Sequence, residues 1–280
     1  MRLGVLLLTC LATPAAAQSP PSADRTNYTT FMSWFETDAL LKLGRGFATQ
    51  LDIQIRTAAD QENRLDRGNT ANPFANPYQF LARPWLLYDI GTSGMRFGIS
   101  PLAYGGTWYY YTGSYTMSAE ARTTLQAQYN SRAGRVYLTN RLRYEFRWLS
   151  PRVPVDGGWS IPSAANDDLF SSANERGRIR YMLRAWIPLG RHNLDPNTWY
   201  VSTFDELFIA VGDNVPSTNI FDQNRFYIGI GRQQKSKIRW EVGYMVQVQS
   251  RFNRAPSYDN MELNHILATW LFFDDLAKVF

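Results

Sequence analysis

Among its 280 residues the sequence holds a single cysteine, Cys10, and two histidines. Cys10 sits in a segment that reads as a secretory signal peptide. Basic Arg2 leads an apolar run from Leu3 to Ala12, then Pro14 and Ala15-Ala16-Ala17 precede Gln18. Cleavage after Ala17 removes the thiol, which excludes a disulfide, a cysteine nucleophile and a cysteine-bound metal from the mature chain. The expected organisation is a signal peptide over 1–17, a flexible leader over 18–27 and one folded unit over 28–280. Past the signal no run of about 18 apolar residues occurs, so no membrane-spanning helix is available. An exported chain of this kind reaches a membrane only as a closed barrel, in which every backbone polar group pairs within the wall.

Lysine is scarce as well. The formal charge of +5 is carried almost wholly by arginine and spread over many segments, not gathered in one tail or on one helix face. That distribution argues against a nucleic-acid partner. Phosphate loops and dinucleotide fingerprints are missing, so no cofactor is expected. The carboxylates Asp167-Asp168, Asp222 and Asp274-Asp275 lack the spacing of a calcium loop, so no metal is expected either.

Aromatic residues, at 15%, and period-two alternation are abundant. Gln50, Asp52, Gln54 and Arg56 alternate with Leu51, Ile53 and Ile55; Arg178, Arg180 and Arg184 alternate with Ile179, Tyr181 and Leu183. Arg239, Glu241, Gln247 and Gln249 alternate with Trp240, Val242, Tyr244, Val246 and Val248. No helical period competes, so the chain is expected to be all β. The pattern predicts strands at 33–43, 46–57, 79–91, 94–105, 115–130, 133–149, 177–189, 198–211, 223–233, 237–250 and 262–273. These are eleven segments, and because bacterial single-chain barrels use an even number, about twelve strands are expected. Short connections near 44, 92, 131, 191 and 235 alternate with long ones at 58–78, 106–114, 150–176, 212–222 and 251–261, the asymmetry of outer-membrane barrels.

Two hairpin registers follow from these boundaries. A turn at Ser131-Arg132 places Glu120 opposite Arg143 and Arg122 opposite Arg141; a turn at 234–236 places Gly231 opposite Arg239 and Gly229 opposite Glu241. Small residues beside long ionic ones leave room in a narrow interior.

Residues 141–148, RLRYEFRW, pose the central question. One face of this strand carries Arg141, Arg143, Glu145 and Arg147, the other Leu142, Tyr144, Phe146 and Trp148. A soluble sandwich buries the second face, whereas a membrane barrel turns it to lipid and lines its lumen with the first. Arginine in place of lysine, accompanied by Gln and Thr, suits a dense network in a confined lumen. Tyr129, Tyr144, Trp148, Tyr181, Trp240 and Tyr244 sit towards strand ends, as interfacial aromatics do. The expected fold is therefore a single closed antiparallel transmembrane β-barrel of the outer-membrane type.

Several stretches also resemble one known family. They are Glu120-Ala-Arg122 with Gln126, Arg141-Leu-Arg143-Tyr-Glu145-Phe-Arg147, Arg178-Ile-Arg180-Tyr181, Asp205-Glu206-Leu-Phe208, Phe221-Asp222-Gln223-Asn224-Arg225, and Glu241-Val-Gly243-Tyr244-Met245 with Gln247. As a set, covering nearly all of the mature chain, they resemble the exported bacterial family catalogued as domain of unknown function twenty-four ninety. The resemblance implies an outer-membrane barrel and no established activity. Phe280 looks like the terminal aromatic read by the barrel-assembly machinery, although Asp274, Asp275 and Lys278 interrupt the final alternation.

The expected lumen-lining residues are Arg56, Arg83, Glu120, Arg122, Arg141, Arg143, Glu145, Arg180, Arg184, Glu206, Arg225, Arg239 and Glu241, with Arg135, Asp52 and Asp89 as further inward candidates. Two functions remain open for them: a filled polar core, or a narrow pore preferring small anionic solutes. Expected partners are outer-membrane lipid and the assembly machinery. A lipid-modifying hydrolase or acyltransferase is the alternative, but His192 reads as a turn residue and His265 as a rim residue, with no serine at a spacing that completes a triad.

Overall fold

The computed structural model describes residues 27–59, 72–111, 114–160, 173–212, 220–234, 237–252 and 259–278. The signal and all of the leader but Asn27, together with Asp167-Asp168 and Phe280, lie outside these residues. The strands are β1 (Asn27–Gly44), β2 (Phe47–Ala58), β3 (Asn76–Asp89), β4 (Met95–Tyr111), β5 (Ser114–Ala133), β6 (Val136–Leu149), β7 (Val153–Val155), β8 (Asn174–Pro188), β9 (Trp199–Val211), β10 (Phe221–Gln233), β11 (Ile238–Phe252) and β12 (Asp259–Phe273). A short 3-10 turn, Leu276–Lys278, follows.

Every long strand corresponds to a sequence-predicted segment. Each pairs with its chain neighbour, β6 with β8 across the three-residue β7, and β1 closes the ring against β12. The wall is thus a closed barrel of eleven strands with β7 as one extra strand, in place of the twelve and the two-sheet sandwich considered above. Closure also corrects the all-antiparallel expectation. When neighbours alternate in direction, the first and last of an odd number run the same way, so β1 and β12 pair in parallel, from Asn27↔Met261 to Ala39↔Phe273.

Three further expectations change. Of the connection read at 106–114, residues 106–111 and 114 are strand: β4 and β5 extend to Tyr111 and Ser114, and Gly105 and Gly106 lie against the Phe80 carbonyl and the Met117 side chain, where glycine permits close approach. The β8–β9 connection, read as short near 191, spans 189–198. The β5–β6 turn lies at Gly134-Arg135, where Gly134 adopts φ 60°, so Glu120 faces Leu149, Arg122 faces Arg147, and Gln126 faces Arg143. Gly231 faces Glu241, and Gly229 faces Gly243. The room beside Gly231 is taken by an aromatic ring, since a Cβ there would lie 2.5 Å from Cζ of fully buried Tyr200.

Alternation sets the two faces of the wall. On β6, Leu142 and Phe146 are 50% and 43% exposed, while Arg143 and Glu145 are 4% and 0% exposed. The ionic face points inward, and the apolar face is the outside of the molecule.

Candidate functional site

The interior contains the ionic residues, one large apolar cluster and two smaller ones. Of the thirteen lumen candidates, Arg141 and Arg239 are half-buried and the rest buried, all on the inward face. Of the further candidates, Asp52 is buried inside, Asp89 pairs with Arg96 near the β3–β4 turn (2.6 Å), and Arg135 is exposed in its turn. Arg135 was counted as inward because the β5–β6 turn was placed too early.

Glu145 is the centre of the network. It meets Arg122 at 3.0 Å, Arg178 and Arg180 at 2.6 Å each, and Arg83 of β3 at 3.9 Å. Arg180 also reaches Glu206 at 2.8 Å, which accepts Arg141 at 3.2 Å and lies 3.7 Å from Arg225. Towards the long-connection end, Glu120 holds Arg122 (2.7 Å) and Arg147 (2.6 Å), and Arg178 reaches Asp222 (3.0 Å). Towards the opposite end, Arg184 of β8 crosses to Glu241 of β11, and the Trp186 indole N–H donates to the same carboxylate at 2.9 Å. Asp52 accepts from Arg83 (2.9 Å) and from the Trp85 indole (2.7 Å). Several of these pairs join strands that are not neighbours, so they brace the wall across the lumen.

Two of the buried arginines have no carboxylate within salt-bridge range among the described residues. Arg56 donates to Gln54 (3.3 Å) with its guanidinium 3.4 Å from the Trp34 ring centre. Arg143 donates through Nε to Gln126 (2.7 Å) and lies 4.7 Å from the Trp85 ring centre. Arginine stays protonated in proteins, so both are buried cations stabilised by an amide and an aromatic face.

Sequence reasoning missed part of the interior. On β1, Met32, Trp34, Glu36 and Asp38 alternate inward by the same period. Glu36 accepts from the indoles of Trp34 (3.1 Å) and Trp270 (3.2 Å), and Glu36, Asp38 and Asp52 bring carboxylate oxygens within 4.8 Å of one another. The apolar cluster of Trp34, Phe204, Tyr227, Met245, Ile266, Trp270 and Phe272 also lies inward. Alternation could have placed these residues, but apolar inward positions do not contrast with an apolar outward face.

The histidines sit elsewhere. His192 is exposed in the β8–β9 connection, where its carbonyl accepts from Arg132. His265 lies on the outer face, stacked on Phe31 (5.3 Å) and bonded to the Tyr244 hydroxyl. Neither is joined to a serine and a carboxylate among the described residues.

A single sheet closed on itself around a cross-braced ionic interior defines a β-barrel protein. Within that class, the chain belongs to the family described as Protein of unknown function (DUF2490), whose model matches residues 31–258. No curated protein and no solved structure matches the chain.

Proposed function

We propose that this protein is an integral outer-membrane β-barrel whose interior is a braced polar core closed to solute flow. The observation that carries the reading is the inversion on β6, where Leu142 and Phe146 are exposed around a fully buried Glu145. Such a face in water would be a large apolar patch, which water-soluble monomers avoid. The same pattern extends round the wall: Leu51, Ile99, Leu125, Leu183, Ile228 and Leu267 are each at least 40% exposed. At the short-turn end an outward ring of Phe47, Tyr88, Phe97, Tyr129, Trp199 and Trp240 matches an interfacial aromatic girdle. In this reading the partners are outer-membrane lipid and, during biogenesis, the barrel-assembly machinery, and the short turns face the periplasm.

A closed interior is favoured over an anion-preferring pore by the cross-lumen contacts of Glu145 with Arg83, of Arg184 with Glu241, and of Arg225 with the Trp34 ring (4.8 Å). Cell fractionation with a heat-modifiability gel tests the placement: the expected result is a heat-modifiable band in the outer-membrane fraction. Recovery from the soluble periplasm overturns it. Planar-bilayer recording tests the interior separately. No unitary steps are expected, and discrete anion-selective steps would replace the closed core with a pore.

A further inference from the structure

The barrel interior is not filled evenly. Near the short-turn end lies a cavity of about 150 Å³, with Arg96, Gln128 and Asp274 among its lining residues. Its chemistry is two-sided. Trp85, Leu87, Met182 and Phe272, all buried, supply apolar surface, while Arg143 and Gln126 supply donors.

Arg143 distinguishes this cavity from the rest of the network. The other arginines lining it have carboxylate partners: Arg96 with Asp89, Arg141 with Glu206, Arg184 with Glu241 and Arg239 with Asp274. Arg143 has none among the described residues, although it is only 4% exposed. Its Nε is taken by Gln126, and its two terminal nitrogens have no hydrogen-bond partner there. They also differ from Arg83 Nη1 and Arg56 Nε, which are sealed away without a partner; those of Arg143 retain access to the open space of the cavity. A buried guanidinium 4.7 Å from an indole ring centre, with two unpaired donor nitrogens at the border of a cavity, is arranged to receive an anion in bidentate fashion.

We propose that this cavity is a binding site for a small carboxylate with an apolar or aromatic body, the carboxylate seated on Arg143 and the body between Trp85 and Phe272. A cavity of this size takes a single six-membered ring. Asp38 and Asp274 also line it, and Asp274 is neutralised by Arg239, so the site disfavours a second negative charge. The inference needs the closed barrel and does not depend on which solvent surrounds its outer face.

Calorimetric titration of the purified chain in detergent micelles, with protein-free micelles as blank, tests this. Benzoate, benzyl alcohol and inorganic phosphate are the probes. Benzoate is expected to bind saturably at one site, with benzyl alcohol and phosphate each at least about tenfold weaker, the scale of a lost charge-assisted hydrogen bond. Arg143→Gln is expected to weaken benzoate by a similar factor while keeping the β-sheet circular dichroism and the cooperative unfolding of the unaltered chain. Absence of saturable benzoate binding overturns the proposal, and so does benzyl alcohol binding as tightly as benzoate. Unchanged benzoate affinity in folded Arg143→Gln also overturns it. Should that variant fail to fold, the three probes on the unaltered chain decide the matter alone.

Discussion

Two halves of the barrel interior solve the same burial problem with different mixtures of charge and ring. From β2 round to β8 the inward face is ionic, with Arg83, Arg122, Arg178 and Arg180 converging on Glu145. From β9 through β12 to β1 the ionic face continues through Glu206, Arg225 and Glu241 but also encloses an aromatic cluster, with Phe204, Tyr227 and Trp270 in mutual ring contact at 4.6–6.0 Å. Indoles tie rings to carboxylates in both: Trp34 and Trp270 donate to Glu36 in one half and Trp85 to Asp52 in the other, while Trp186 reaches Glu241 across the boundary. A buried Trp has an apolar body and one obligatory donor, so it packs among other side chains while satisfying a nearby carboxylate. The ionic half is the more brittle. A lost ring leaves a gap into which neighbours partly relax, whereas a lost carboxylate leaves several fixed charges of one sign facing each other without water.

The largest effect is therefore expected for Glu145→Gln, which strands Arg122, Arg178 and Arg180. A loss of about 3–5 kcal/mol is expected, the cost of breaking a buried pair. Urea unfolding followed by tryptophan fluorescence measures it, and a midpoint equal to the parent's would show that the network does not brace the wall. Leu142→Arg probes the opposite face of the same strand. In lipid vesicles it should cost about 2–4 kcal/mol if hydrocarbon surrounds the barrel, against no more than about 0.5 for a site in water. Trp270→Phe, in the aromatic half, keeps most of the ring but removes one of two indole donors to Glu36, and should cost about 1–3 kcal/mol. A loss as large as that of Glu145→Gln would erase the distinction between the halves. The smallest effect is expected at Asp205, an exposed carboxylate on the outer face that accepts from Asn224 at 2.9 Å. Asp205→Leu should raise the vesicle unfolding midpoint slightly, and a lowered midpoint would show that the Asn224 contact matters more than the burial of a charge against lipid.

Much of this architecture is legible in the chain, and the misreadings share one cause. Period two assigns each residue to a face but is blind to any slip by an even number of residues. Gln126, not Glu120, lies opposite Arg143, a slip of six; Glu241, not Arg239, lies opposite Gly231, a slip of two. Both slips keep every side chain on its expected face and change its partner. Gly134, with its positive φ, was the local signal that could have corrected the first. The strand count failed differently. The eleven segments were read correctly, then raised towards twelve by an even-number rule that a parallel β1–β12 seam does not obey.

By itself, then, the sequence determined that the strands are two-faced and where most of them lie, because side-chain alternation is a property of each strand alone. The arginine, Gln and Thr content of one face also pointed to it as the inward one, but that the sheet closes into eleven strands with a parallel seam was decided only by the tertiary structure. So were the partners of each arginine: Arg184 and Glu241, or Arg83 and Glu145, come together from strands that share no ladder. Contacts of that kind arise from the curvature of the whole wall, which no local pattern encodes.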